Sequence, residues 1–364
     1  MKLLLDTITF NSYASYSENK YSHSLPNNMN IKPLVKFLGR NTGSMVLHSA
    51  TLYELLIKCI KNKNIQAPFS PNNQVSIKQF FDDYNFMSRK KIQIANDTTC
   101  YFDINPLRDY YQKNTSISMD YYISQKISYE TYHIGFFYSL VIIICGDFLF
   151  EKYGDTVDEN LFYNFMNSLT LFMEHKIKSL LEEYYYNEQQ KDFSKKALDS
   201  TLYFVLTQFE KCIEQKSTLN LNAEGVIDFL ASLLKTLNIK DLDDGAGVNK
   251  AHEIFSPITN PTFIKKLINE KVNSVMDEMI NNNRPSLSKT EIRYLTYLLE
   301  KLFLNKYKIT KNDFSDFLIL SSCDLLSEKE DVVFITFDTR LKKFIEENKI
   351  YYDEAIYKLF YIEK

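Results

Sequence analysis

The chain has 364 residues, 45% of them hydrophobic and 24% charged, with a formal net charge of −3. This is the composition of a folded protein of one to three domains. Such a charge exerts no global pull on nucleic acid, so binding of that kind must come from a local basic patch or from bridging cations. Eight Gly and eight Pro are few for this length and favour long helices over a turn-rich β fold.

The five cysteines, at 59, 100, 145, 212 and 323, follow neither Cys-x-x-Cys nor Cys/His spacing. They argue against a disulfide framework and a zinc site, and fit reduced, buried thiols in a cytoplasmic protein. MKLLLDTITF is broken by Asp6 and is not a secretory signal. The most apolar run, 134–145, falls short of the roughly 20 residues that span a bilayer and reads as a buried helix, so no membrane segment is expected. The five His show no metal-binding spacing, and Walker A, GxGxxG and GxSxG motifs are absent.

In chain order, Lys2 to Leu5 is a short apolar strand that stops at Asp6. Residues 11–33, rich in Ser, Asn and Tyr, read as a loop with at most a short helix, and 44–47 as a second strand. SATLYELLIKCIKN, from Ser49, carries an apolar stripe at Leu52, Leu55, Leu56, Cys59 and Ile60 and is a helix. Thr51 and Glu54 fall in its Thr-x-x-Glu capping-box pattern. A Pro-bearing connection, a helix near 76–88, the basic Arg89-Lys90-Lys91 and a strand near 92–104 follow. From 117 to 282 nearly everything reads helical, with no repeat of fixed period. Beyond the boundary at Asn281 to Pro285, Ser288-Lys289-Thr290-Glu291 opens a capped helix that runs to about Tyr307. A helix headed by Asp313 and Asp316, a strand over 332–337, a helix over 339–348 and an apolar edge strand at 356–362 complete the chain. The organisation predicted is an α/β domain in two parts, 1–64 and 285–364, sharing one sheet, with a helical insertion over 65–284 between them.

Each conspicuous acid has a plain structural explanation. Glu54 serves a capping box, Asp313 is a good N-cap, and Asp316 sits in a first turn where the helix dipole favours negative charge. Asp338 can cap the helix at 339–347, and Asp6 can end a strand. Their combination resembles the PIN-domain nucleases. Those carry a first strand ending in Asp, a Glu early in the following helices, an Asp opening a later helix and a Ser/Thr-x-Asp closing a strand soon after. The corresponding blocks here are LLLDT with Asp6, SATLYELL with Glu54, NDFSDFLIL with Asp316 and FITFDTRLKKF with Thr336 and Asp338. Two departures stand out. Asp6-Thr7 is followed by Ile8 where the family often has Asn, and the resemblance does not extend to 65–284.

The resemblance implies a mixed α/β fold: a PIN-like three-layer α/β/α domain with a central, mostly parallel sheet, interrupted by a large all-α insertion. It also implies a Mg²⁺- or Mn²⁺-dependent endonuclease acting on RNA in preference to DNA, with a toxin or defence effector as one setting. Phosphodiester hydrolysis builds negative charge that divalent ions neutralise while activating water, and such hard ions prefer carboxylate oxygens. Asp6, Glu54, Asp316 and Asp338 are then the expected catalytic residues and metal ligands, with Asp313 and Thr336 accessory. Lys308, Lys311, Arg340, Lys342 and Lys343 flank the last two acids and would track a phosphate backbone, although solvated surface is their plain reading. The helical insertion would select substrate, mediate homo-oligomerisation or bind a regulatory protein. Two other readings compete: a non-enzymatic PIN-like scaffold whose insertion is a protein-interaction module, and a helical binding protein without a parallel sheet in which capping explains every acid.

Overall fold

A computed structural model describes residues 1–18, 30–59, 71–96, 100–113, 117–153, 159–186, 191–214, 243–258, 260–281, 287–307 and 309–361. Its centre is a four-stranded sheet. Leu3, Leu4 and Leu5 are fully buried in β1 (Lys2–Leu5), which is followed by α1 (Thr7–Ser17) and α2 (Ile31–Arg40). β2 (Met45–His48) runs straight into α3 (Ser49–Cys59), and α4 (Pro71–Arg89) leads to the short β3 (Gln93–Ala95). All pairings are parallel, with Leu5 opposite Leu47 on one side and Ile335 on the other. Helices supply the crossovers that parallel strands require. Strands covered on both faces read as continuous apolar runs, as the fully buried MVLH of β2 does. The strand order is β3-β2-β1-β4, where β4 is Val332–Ile335. It reverses at β1: the chain builds outward to β3 and returns, at its far end, to the other side of β1. The class is therefore mixed α/β, and the sheet rules out an all-helical binding protein.

Three stretches differ from expectation, the first being the strand expected near 92–104, of which only Gln93–Ala95 is strand among the described residues. All of 11–17 is helix, the greater part of α1, where a loop with a short helix was expected. The Asp6 side chain accepts a hydrogen bond from the Thr9 amide and caps α1, while Phe10, Tyr13 and Ala14 are buried. Phe10 and Tyr13 meet the edge of Phe86 at 6.2 and 5.4 Å between ring centroids. At the other end, 356–358 is helix and not the edge strand expected over 356–362, of which 362 lies outside the described residues. Asp353 accepts from the Ile356 amide at 3.0 Å and starts a short helix over Glu354–Lys358.

The chain divides into two compact units. One comprises Met1–Lys126, Ser288–Glu291 and Ser315–Lys364, and the other Ile127–Leu287 and Ile292–Phe314. The break predicted at 64/65 falls inside the first unit, because β3 pairs with β2. Tyr53, before that break, also packs on Phe102 and Tyr122, at 4.8 and 6.4 Å. α5 (Asn105–Lys113) lies in the same unit, and α6 (Asp120–Tyr153) runs across the division. In the second unit, Ile134, Phe137, Val141, Ile142 and Cys145 of α6 are fully buried, as expected for 134–145. The surrounding stretch, Asp120–Lys152, is long and apolar enough to cross a membrane, with 72% of its most apolar window buried inside the protein.

α7 (Glu159–Tyr186), α8 (Lys191–Glu214), α9 (Ala246–Phe255), α10 (Pro261–Asn281) and most of α11 (Lys289–Asn305) build the rest of the second unit. Asp199 of α8 accepts from the Gly247 and Val248 amides of α9, both at 3.1 Å. A Cβ on Gly247 would overlap the Asp199 carbonyl oxygen. The capping box at Ser288 and Glu291 forms as predicted, with the Ser288 amide 2.7 Å from the Glu291 carboxylate and the Glu291 amide 3.2 Å from the Ser288 hydroxyl. Cys59, Cys100, Cys145 and Cys323 are buried and in no disulfide, and the side chain of Cys212 lies outside the described residues.

Candidate functional site

The site grows from the carboxyl end of β1. Asp6 follows the last strand residue, and its amide donates to the Ile335 carbonyl of β4 at 3.3 Å. Its Oδ1 accepts from the Thr9 amide at 2.6 Å, and its Oδ2 accepts from the Thr336 hydroxyl. Thr336 Oγ1 in turn accepts from the Asp338 amide at 2.9 Å. Asp338 Oδ1 accepts from the Arg340 and Leu341 amides, at 2.8 and 3.1 Å, and so caps α13 (Thr339–Glu347). One buried threonine thus ties together two aspartates that end neighbouring strands, each at the N-terminus of a helix.

Behind this bridge, the Tyr357 hydroxyl accepts from the Thr336 amide at 3.1 Å and donates to the Phe334 carbonyl at 2.9 Å. Tyr357 belongs to α14 (Glu354–Lys358), which therefore pins the end of β4.

The electrostatics are set by burial. Asp6 is only 4% exposed, and desolvation pushes its carboxyl up to about 6. The hydrogen bonds from Thr336 and Thr9 pull the other way, and the negative charge of Asp338 adds to the rise. A like charge and a dry setting both disfavour ionisation.

The other expected ligands are placed less closely. Glu54 lies half-buried in the second turn of α3, just past the carboxyl end of β2. Its capping-box role is corrected, because α3 begins at Ser49 and Thr51 is already inside it. His48 Nδ1 accepts from the Ala50 amide at 3.0 Å instead. The Thr51 hydroxyl meets that of Thr7 at 3.5 Å, which brings α3 against the residue after Asp6. Asp316 is half-buried near the start of α12 (Lys311–Ser327), the helix that feeds β4. Among the described residues, no three His, Cys, Asp or Glu side chains stand close enough to hold an ion. The structure joins Asp6, Thr336 and Asp338, and does not gather all four acids.

Asp313 is not an N-cap. It lies in the first turn of α12, and its Oδ2 accepts from the Thr310 amide and hydroxyl, at 2.6 and 2.7 Å. It thus completes a cap that begins at Thr310. Of the basic residues, Lys308 and the side chain of Lys311 lie outside the described residues. Arg340 Nε is 3.9 Å from Asp338 Oδ1. Lys342 and Lys343 pair with Glu346 and Glu347 one turn on, at 2.8 and 3.5 Å.

Sequence reasoning missed Tyr357 and Tyr361. The Tyr361 hydroxyl lies 3.4 Å from the Thr336 carbonyl. Burial, then the charges of Asp6 and Asp338, push its phenol up. The available signal was the aromatic density of YYDEAIYKLFYIEK. No family model, curated protein or solved structure matches the chain, so a functional reading must rest on its own residues.

Proposed function

We propose that the chain is a metal-dependent nuclease of the PIN type, hydrolysing phosphodiester bonds, in RNA before DNA, at the carboxyl edge of its sheet. The observation that carries this reading is the Asp6–Thr336–Asp338 bridge between β1 and β4. It lies where the strand order reverses, and such switch points are where open α/β sheets bind ligands. The order β3-β2-β1-β4 also supports the three-layer PIN-like arrangement as the finer description of this domain.

The pair suits a hard divalent ion. Burial and the Asp338 charge make Asp6 a costly anion, and a cation beside it would turn that cost into attraction. Asp338 uses only Oδ1 to cap α13, which leaves Oδ2 outside those bonds. Asp6 and Asp338 would hold Mg²⁺ or Mn²⁺, with Glu54 and Asp316 reaching it through water, because Mg²⁺ retains several waters. Bound there, the ion would neutralise charge on the phosphoryl group and activate water. The chain's own part is positional: Thr336 fixes the spacing of the carboxylates, and the N-termini of α1 and α13 favour negative charge beside them.

One observation favours a non-enzymatic scaffold instead: both aspartates of the bridge already cap helices. The two readings separate when purified protein is incubated with labelled single-stranded RNA, single-stranded DNA and duplexes, in Mg²⁺, Mn²⁺ or EDTA. The nuclease reading expects cleavage that disappears in EDTA and in Asp338→Asn and Asp316→Asn. Cleavage that persists in EDTA, or is unchanged by Asp338→Asn, would overturn it. Absence of cleavage together with no rise in Tm on adding Mn²⁺ would leave the scaffold.

A further inference from the structure

Beside the acid bridge lies an open groove of about 600 Å³ whose walls include Lys342, Lys349, Tyr352, Tyr357, Lys358 and Tyr361. The size suits one small ligand. Its aromatic wall is ordered: Tyr352 and Tyr357 stack at 4.8 Å with planes 25° apart, and Tyr357 and Tyr361 lie 5.8 Å apart at 31°. Lys342 Nζ sits over all three rings, 4.8 Å from the Tyr361 centroid, 5.7 Å from Tyr357 and 5.9 Å from Tyr352.

Two acids, Glu346 and Glu354, also line the groove. They pair with Lys342 and Lys358, at 2.8 and 2.5 Å. Lys349 has no ion pair among the described residues. It occupies the left-handed region at φ 52°, just past the end of α13, a position usually given to Gly or Asn. A lysine there adds a cation to the groove at the expense of an easier backbone. Through Tyr361 the groove reaches the Thr336 carbonyl, and hence the residue that joins Asp6 to Asp338.

From these features we infer that the groove is a subsite for one unpaired nucleotide of a single strand, its base against the half-exposed rings of Tyr352 and Tyr361, which the buried Tyr357 backs, and its phosphate on Lys349. The inference rests on the nuclease reading for its biological sense, but not for its test. Aromatic faces bind any unstacked base, whereas a base locked in a duplex cannot enter. Of the three groove lysines, Lys349 is the one with no ion pair among the described residues, so it is the one offered to phosphate.

The test reads fluorescence anisotropy of a labelled eight-nucleotide oligouridylate, and of a duplex of equal length, in EDTA at low salt. The wild type should bind the single strand and bind the duplex more weakly. Tyr352→Leu should weaken single-strand binding by about tenfold, the usual worth of one stacked base. Lys349→Gly should weaken it and lower the salt slope by about one, while the Tm rises, so a folding defect cannot explain the loss. Failure of the wild type to bind the single strand, equal binding of duplex, or binding that neither Tyr352→Leu nor Lys349→Gly alters would overturn the subsite. Because EDTA silences metal-dependent cleavage, binding with neither cleavage nor a rise in Tm in Mn²⁺ would sink the nuclease reading alone. Metal-dependent cleavage without groove-dependent binding would sink the subsite alone.

Discussion

Asp6 is asked to be a helix cap, which favours its charge, in a place so dry that the charge is costly. The cost has a sign and a window. With its folded pKa raised from 3.8 to about 6, the native state holds a proton that the unfolded chain releases between those values. Stability from this group therefore falls as pH rises from about 4 to about 6, by on the order of 3 kcal/mol, and stays lower above that. Asp6→Asn removes the titration. In metal-free buffer at pH 7.5 the variant should be on the order of 1–3 kcal/mol more stable, with a flatter profile in urea melts from pH 4 to 7. Added Mn²⁺ should raise the Tm of the wild type and leave that of the variant unchanged. Thr336 carries the complementary prediction. Thr336→Val keeps the shape but deletes the donor to Asp6 and the acceptor for the Asp338 amide. Leaving buried groups unsatisfied should cost about 1–3 kcal/mol, measured by denaturant unfolding at pH 7.5.

At the scale of elements, the sequence was legible where its pattern and its packing agree. β1, β2 and β4 are apolar runs with one end marked by a polar residue, and α3 and α11 carry apolar stripes or caps that need no tertiary knowledge. α1 was not legible. TITFNSYASYS has no apolar stripe, and its helix depends on the Asp6 cap and on Phe10 and Tyr13 meeting Phe86, a residue far along the chain. α14 misled in the opposite way, since Ile356, Tyr357 and Phe360 suit a strand until Asp353 supplies a cap. The site divides along the same line. Asp6, Thr336 and Asp338 could be found because each ends or follows a strand, whereas the tyrosine wall is assembled by a turn that periodicity does not report. Two element-level predictions follow from close fits. Lys349→Gly relieves a left-handed residue at the end of α13 and should stabilise by roughly 1 kcal/mol in thermal or urea melts. Gly247→Ala drives a methyl into the Asp199 carbonyl oxygen and should destabilise by about 1–3 kcal/mol, with loss of helical signal at lower denaturant.

For the whole molecule, the decisive fact is that β1 and β4 come from opposite ends of the chain. Lys2 to Leu5 pair with Val332 to Ile335, so the candidate site exists only once the chain has closed on itself. Such distant pairing delays sheet formation relative to local helices. A chain ended after Asp331 keeps β1 but strips its partner strand, α13, α14 and the Thr336 hydroxyl that holds Asp6. Leu3, Leu4 and Leu5 then lie on an open edge with no strand to cover it, the condition that promotes edge-to-edge association. The second unit retains its own buried residues from α6 to α11 and should keep much of its helix. The expected outcome is a truncated protein with substantial far-UV helical signal that runs as an aggregate on size exclusion and shows no Mn²⁺-dependent rise in Tm. A monomeric truncation that still gains stability from Mn²⁺ would mean that ion binding does not require the β1–β4 closure, and would remove Asp338 from the ligand set.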